Sequence, residues 1–163
     1  MGTYAEALTE FYNGEVTGEA IYSNLLPWAK DDDQRLKLAA ILQLETETKA
    51  WLRPYLLAEG LSIEERAEDR EKGAGIAAQV KALDWTQLMA VTKNAIDKQL
   101  VPFYQSFADA AKARGKADEE AVCLYMVEHE RAQGVFAERE LAGKNRREAL
   151  EPITRQLKFP LPV

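Results

Sequence analysis

Apolar positions recur along the chain in steps of three and four, with no useful run of strict alternation, so the sequence predicts helices and no strands. Thr3-x-x-Glu6 is a capping box opening a first helix over 3–28, whose seam runs Leu8, Tyr12, Glu15, Glu19, Tyr22 and Leu26 before Pro27. Asp31-Asp32-Asp33 offers N-caps and favourable charge for a second helix over 33–59, with the seam Leu38, Ile41, Glu45, Thr48, Leu52 and Tyr55, a kink expected at Pro54 and a stop at Gly60. The pattern loosens over 61–83. A capping box at Ser62-x-x-Glu65, a charged run from Glu64 to Lys72 that reads as a solvated face, and Gly73 and Gly75 predict a long crossover with one or two short helices. Asp84-x-x-Gln87 then opens a helix over 85–114 carrying Leu88, Val91, Ala95, Val101 and Tyr104, kinked at Pro102 and stopped by Gly115. Asp118 opens the last long helix, 119–142, through Met126, Glu130, Gln133 and Phe136 to Gly143. The tail, 144–163, has room for one more short helix before Phe159-Pro160-Leu161-Pro162 forces an extended end.

Two helical hairpins joined by one long connection predict an all-α fold, an antiparallel four-helix bundle with its crossover between the second and third helices. With 163 residues, 47% of them hydrophobic, the chain reads as a single domain spanning 1–163. A net charge of −6, with Lys and Arg scattered, leaves no footprint for a phosphate backbone, so nucleic acid is excluded as the expected partner. The lone cysteine, Cys123, rules out an internal disulfide, a thiolate zinc site and a built-in iron–sulfur centre, and reads as a small core residue. No basic stretch followed by an apolar one opens the sequence, and the longest apolar run, 121–127, falls far short of the roughly 20 residues that span a bilayer. No membrane partner is expected, and a cytoplasmic location is the default.

Charged residues on helix seams need an explanation, because an unpaired buried carboxylate costs several kcal/mol or takes up a proton. Glu15 and Glu19 lie one turn apart on the first seam, Glu45 is on the second, and Glu130 is in or beside the stripe of the last long helix. Asp97 is less clearly inward. The two halves echo one another: Tyr22 follows Glu15 at the spacing with which Tyr104 follows Asp97, and Glu45-x-x-Thr48 matches Glu130-x-x-Gln133.

With Gly14-Glu15 and Tyr22 in the first helix, this arrangement resembles the ferritin-like superfamily of rubrerythrins and ferritins over residues 3–142. In that superfamily two helices each give one Glu and two give Glu-x-x-His to a di-metal centre. The resemblance implies metal ligands at Glu15, Asp97, Glu45 and Glu130, with Tyr22 and Tyr104 beside them. It departs from the family where Thr48 and Gln133 stand in the histidine positions and where the third helix offers Asp rather than Glu. Glu19 is a second candidate from the first helix. The only histidine, His129, precedes Glu130 and lies about 100° round the helix from it, either replacing the missing ligand or forming an unrelated boundary residue.

A site of oxygens with at most one imidazole suits Fe or Mn. The resemblance then implies an oxidoreductase using dioxygen or peroxide, with a small-molecule substrate, an external electron donor, and a homodimer as the plausible assembly. Two other readings stand beside it. In one the histidines are lost because the bundle is a metal-free binding or scaffold protein, its acids neutralised by Lys49, Lys98 and Arg131. In the other a dimeric bundle binds a small apolar ligand between its helices, as Trp28, Trp51, Trp85 and the kinks at Pro54 and Pro102 suggest. Serine-hydrolase and phosphate-loop chemistry find no motif: no serine lies in a Gly-x-Ser-x-Gly turn, and Gly73-Ala-Gly75 lacks the Lys-Ser/Thr ending.

Overall fold

The computed structural model describes residues 3–159, and within them all regular structure is helical. The order is α1 (Tyr4–Leu25) with a 3-10 turn (Leu26–Trp28), α2 (Asp32–Ala58), α3 (Ala67–Val80), α4 (Trp85–Ala95), a π turn (Ile96–Leu100), α5 (Val101–Ala113), α6 (Ala117–Leu141) and α7 (Arg146–Gln156). Local chemistry sets most of these ends. Thr3 and Asp84 form complete capping boxes, and Asp31 caps α2 through Gln34. Gly60, Gly115 and Gly143 follow α2, α5 and α6 with φ of 71°, 69° and 67°, a conformation that costs other residues a clash at Cβ. Residues 160–162, the core of the expected extended end, lie outside the described residues.

Three expectations are corrected. The Ser62-x-x-Glu65 capping box does not form: α3 starts at Ala67, and Glu65 is drawn instead into ion pairs with Lys49 and Arg70. For the same reason the run from Glu64 to Lys72 is not simply solvated; Asp69 is buried and paired with Arg66. The helix predicted as one piece over 85–114 is interrupted, since the Val101 N–H reaches back five residues to the Ile96 carbonyl. Pro102 gives the physical reason. Its ring has no N–H and crowds the carbonyl one turn back, and the wider π turn relieves that crowding.

α1 packs along α2, the α4–α5 segment packs along α6, and α7 closes against α6 and α2. One apolar cluster joins Leu8, Phe11, Leu52, Tyr104 and Met126 from α1, α2, α5 and α6. A second joins Ile41, Met89, Phe136 and Leu150 from α2, α4, α6 and α7. Between these clusters, α2 carries Glu45 and Thr48, and α6 carries His129, Glu130 and Gln133, all buried. Being enclosed by α4, α5 and α7, α6 hides adjacent residues such as His129 and Glu130 rather than a single narrow stripe.

α3 lies against α1 with Gly73 at the contact. A Cβ there would overlap the Thr17 carbonyl and sit 2.7 Å from the Ala20 Cβ. Because the obstruction is largely backbone, Gly73→Ala is expected to lift α3 from α1 and destabilise the fold by about 1–3 kcal/mol. Urea unfolding would show this as a lower midpoint.

Candidate metal centre

Three helices bring their polar side chains to one point. Glu15 from α1, Glu45 from α2 and His129 from α6 each offer a ligand atom, and these atoms lie within 4.8 Å of one another. The three residues are 1%, 4% and 0% exposed, so the group is almost wholly buried. Its approach to α1 depends on missing side chains. A Cβ on Gly18 would overlap the Glu45 carboxylate, with its Cδ only 2.7 Å away, and a Cβ on Gly14 would meet the Tyr104 hydroxyl at 2.8 Å. Glu45 therefore lies against bare helix backbone.

His129 Nε2 lies 3.5 Å from Glu15 Oε1 and 3.5 Å from Glu45 Oε1. Nδ1 is 3.1 Å from the Thr48 hydroxyl. The Gln133 amide donates to Glu45 Oε1 at 2.7 Å and faces His129 Nε2 at 3.0 Å, while the Tyr22 hydroxyl donates to Gln133 Oε1 at 3.0 Å. With the Gln133 N–H facing Nε2, the hydrogen-bond pattern favours a tautomer that carries its proton on Nδ1, toward Thr48. An outer hydrogen bond on one ring nitrogen is how a metal-binding histidine is oriented at the other.

Charge pulls the same cluster the other way. Burial works to lower the His129 pKa, yet Glu15 and Glu45 raise it from 6.5 to about 10. Burial pushes Glu15 well above the ordinary carboxylate range, against the pull of His129 and with help from Glu45 and Glu130. Burial likewise brings Glu130 up to about 7. A protonated Nε2 would confront the Gln133 amide donor, whereas an unprotonated one leaves the acids without a positive partner. A cation in place of the protons would resolve the conflict.

The Lys and Arg side chains do not resolve it. Lys49 pairs with Glu19 and Glu65, and Arg131 pairs with the exposed Glu128. Among the described residues no Lys or Arg makes an ion pair with Glu15, Glu45 or Glu130. Glu15 Oε2 is buried without any hydrogen-bond partner. An orphaned buried carboxylate oxygen, beside an acid lying on a bare stretch of helix, suits a cation.

Of the residues singled out from the sequence, the structure brings together Glu15, Glu45 and His129, with Thr48, Gln133 and Tyr22 bonded around them and Glu130 and Tyr104 alongside. Two are placed elsewhere. Glu19 is held by Lys49, Arg70 and the Thr46 hydroxyl on the outer side of α1, and Asp97 is exposed and bonded to Lys93 at 2.7 Å. Gly18 is the position beside the cluster that the seam pattern missed. Its signal was present as a second glycine one turn after Gly14, inside a helix with no other breaker.

Gly18→Ala is expected to push the flexible end of Glu45 aside at small cost to folding and to weaken metal binding about tenfold, a loss near 1.4 kcal/mol. Metal titration beside a thermal melt separates the two effects.

No family model, curated protein or solved structure matches this chain. Among the described residues no helix is long and apolar enough to cross a membrane.

Proposed function

We propose that the chain is a ferritin-like metalloprotein, an oxidoreductase that uses dioxygen or peroxide on a small-molecule substrate with electrons from an external donor. In this reading α1, α2, the α4–α5 segment and α6 are the four bundle helices, and α3 belongs to the crossover. The observation that carries it is the convergence of two carboxylates and one imidazole from separate helices at a buried point with no Lys or Arg partner. Oxygen-rich ligation with a single imidazole favours Fe or Mn over copper. Such an ion, when bound, supplies the redox chemistry and open positions for an oxidant.

The chain's own residues hold and tune the site. Glu15, Glu45 and His129 are the ligands, Thr48 orients His129, and Gln133 with Tyr22 fixes Glu45. Glu130, buried beside Tyr104, is the acid that would serve a second ion, since Asp97 is out of reach.

The test is reconstitution of chelator-free protein with Fe(II) or Mn(II) under nitrogen, followed by elemental analysis. At least one ion per chain is expected. Trace metal alone would favour the metal-free scaffold, which the proton-balanced pairing of His129 with Glu45 also supports. That reading predicts that Glu45→Ala with Glu130→Ala leaves the melting temperature unchanged or raised.

A further inference from the structure

A cavity of about 600 Å³ opens beside the acid cluster, bounded by α1, α3, α4, the π turn and α5. That volume is within the range of small-molecule sites. Its floor is one side of the cluster: Glu45, Glu130 and Gln133, with the hydroxyl-bearing Tyr22 and Tyr104. Glu15 and His129 do not line it and are buried behind it. The cluster thus has one face toward the cavity and one toward the core.

The walls are chiefly apolar, supplied by Ile76 and Val80 of α3, Leu88 and Met89 of α4, Ile96 of the π turn and Phe103 of α5. Apolar character continues to the surface, where Val91, Leu100 and Phe103 are 44%, 36% and 42% exposed at the edge of the cavity. Four charged side chains complete the lining apart from the floor acids. Arg66 and Asp69 neutralise each other in an ion pair, and Glu10 is offset by Lys72. The four sum to no net charge, and the floor carboxylates repel an anion.

We propose that this cavity binds an uncharged, largely apolar small molecule whose inner end lies against Glu45, Glu130 and Gln133. That the occupant is the substrate rests on the metal reading above; the binding itself does not. The three tryptophans have no part in it, since none lines the cavity.

The probe is Nile red, an uncharged dye that brightens in apolar surroundings, titrated into the full chain in metal-free and Fe(II)-loaded forms. One saturable site per chain is expected in both. Thr92→Trp, which fills the cavity from α4, should weaken dye binding at least about tenfold. Val91→Glu, a change at an exposed position that the fold tolerates, should weaken it about threefold by bringing a charge to the mouth. Glu15→Gln, outside the cavity lining, should leave dye binding unchanged while weakening metal binding at least about 100-fold.

The proposal is overturned if no saturable site appears, if folded Thr92→Trp binds dye like the parent, or if the protein is a dimer that hides Phe103 and excludes the dye. Dye binding without metal uptake sinks the metalloprotein reading and leaves this one standing. Metal uptake without dye binding does the reverse.

Discussion

Loading the metal-free protein with Fe(II) or Mn(II) is expected to raise its thermal midpoint by about 5–10 °C at pH 8 and hardly at all at pH 5. The magnitude corresponds to roughly 2.7 kcal/mol for an ion at a hundred times its dissociation constant, spread over a domain of this size. The pH dependence comes from the buried cluster. Glu130 has its pKa raised from 4.5 to about 7 by burial. His129 is raised from 6.5 to about 10, the acids overcoming burial. A folded pKa above the unfolded one gives stability that is complete below the unfolded value and is lost as pH climbs through the folded value. Glu130 therefore sheds its contribution between about pH 4.5 and 7, and His129 between about 6.5 and 10, each on the order of a few kcal/mol.

The metal-free protein should weaken as pH rises across that whole span. An ion that replaces the departing protons should gain affinity over the same span. Below it the surface acts in the opposite sense. Burial would raise Glu19, but Lys49 and Thr46 hold it below 4.5, so its contribution is present above that value and disappears as pH falls through the folded one. The metal-free melting curve should accordingly peak near pH 5. Calorimetry with and without metal at the two pH values is decisive: an equal shift at both, or none, would contradict a site whose protons and cation compete.

Glu15→Gln should separate binding from folding. The amide is nearly the same shape and carries no charge at any pH, so it removes a carboxylate that burial has already made hard to ionise. The metal-free variant is expected to be more stable than the parent at pH 8 by about 1–2 kcal/mol, while metal affinity drops at least about 100-fold. Gain of stability on removing a buried polar group marks a site kept for something other than the fold. Loss of stability with metal uptake intact would instead make Glu15 a purely structural acid.

What could be read from the sequence was what local chemistry decides. The boxes at Thr3 and Asp84, the Asp31 cap and the stops at Gly60, Gly115 and Gly143 all depend on neighbours in the chain, and they stand where expected. The box at Ser62 failed because Glu65 has better partners on α2 and α3 than the backbone at its side. Glu15 and Glu45 were legible as acids on apolar seams. Asp97 was misplaced because seven residues in an unbroken α-helix return nearly to the same face, which would align it with Tyr104. The π turn between them adds a residue to that cycle, leaving Tyr104 inside and Asp97 in solvent. His129 is the inverse case. A seam pattern assigns α6 one inward edge, but contacts with α4, α5 and α7 give it several, so consecutive residues both face protein.

Glu15 and Glu45 belong to the first helical pair and His129 to the second, with most of the chain's length between Glu15 and His129. A cation held by all three would be a reversible cross-link across a very long loop, in a protein whose single cysteine denies it a disulfide. Closing so long a loop restricts the unfolded ensemble more than any local tie could. Such a clasp would make the cohesion of the two halves answerable to the supply of metal.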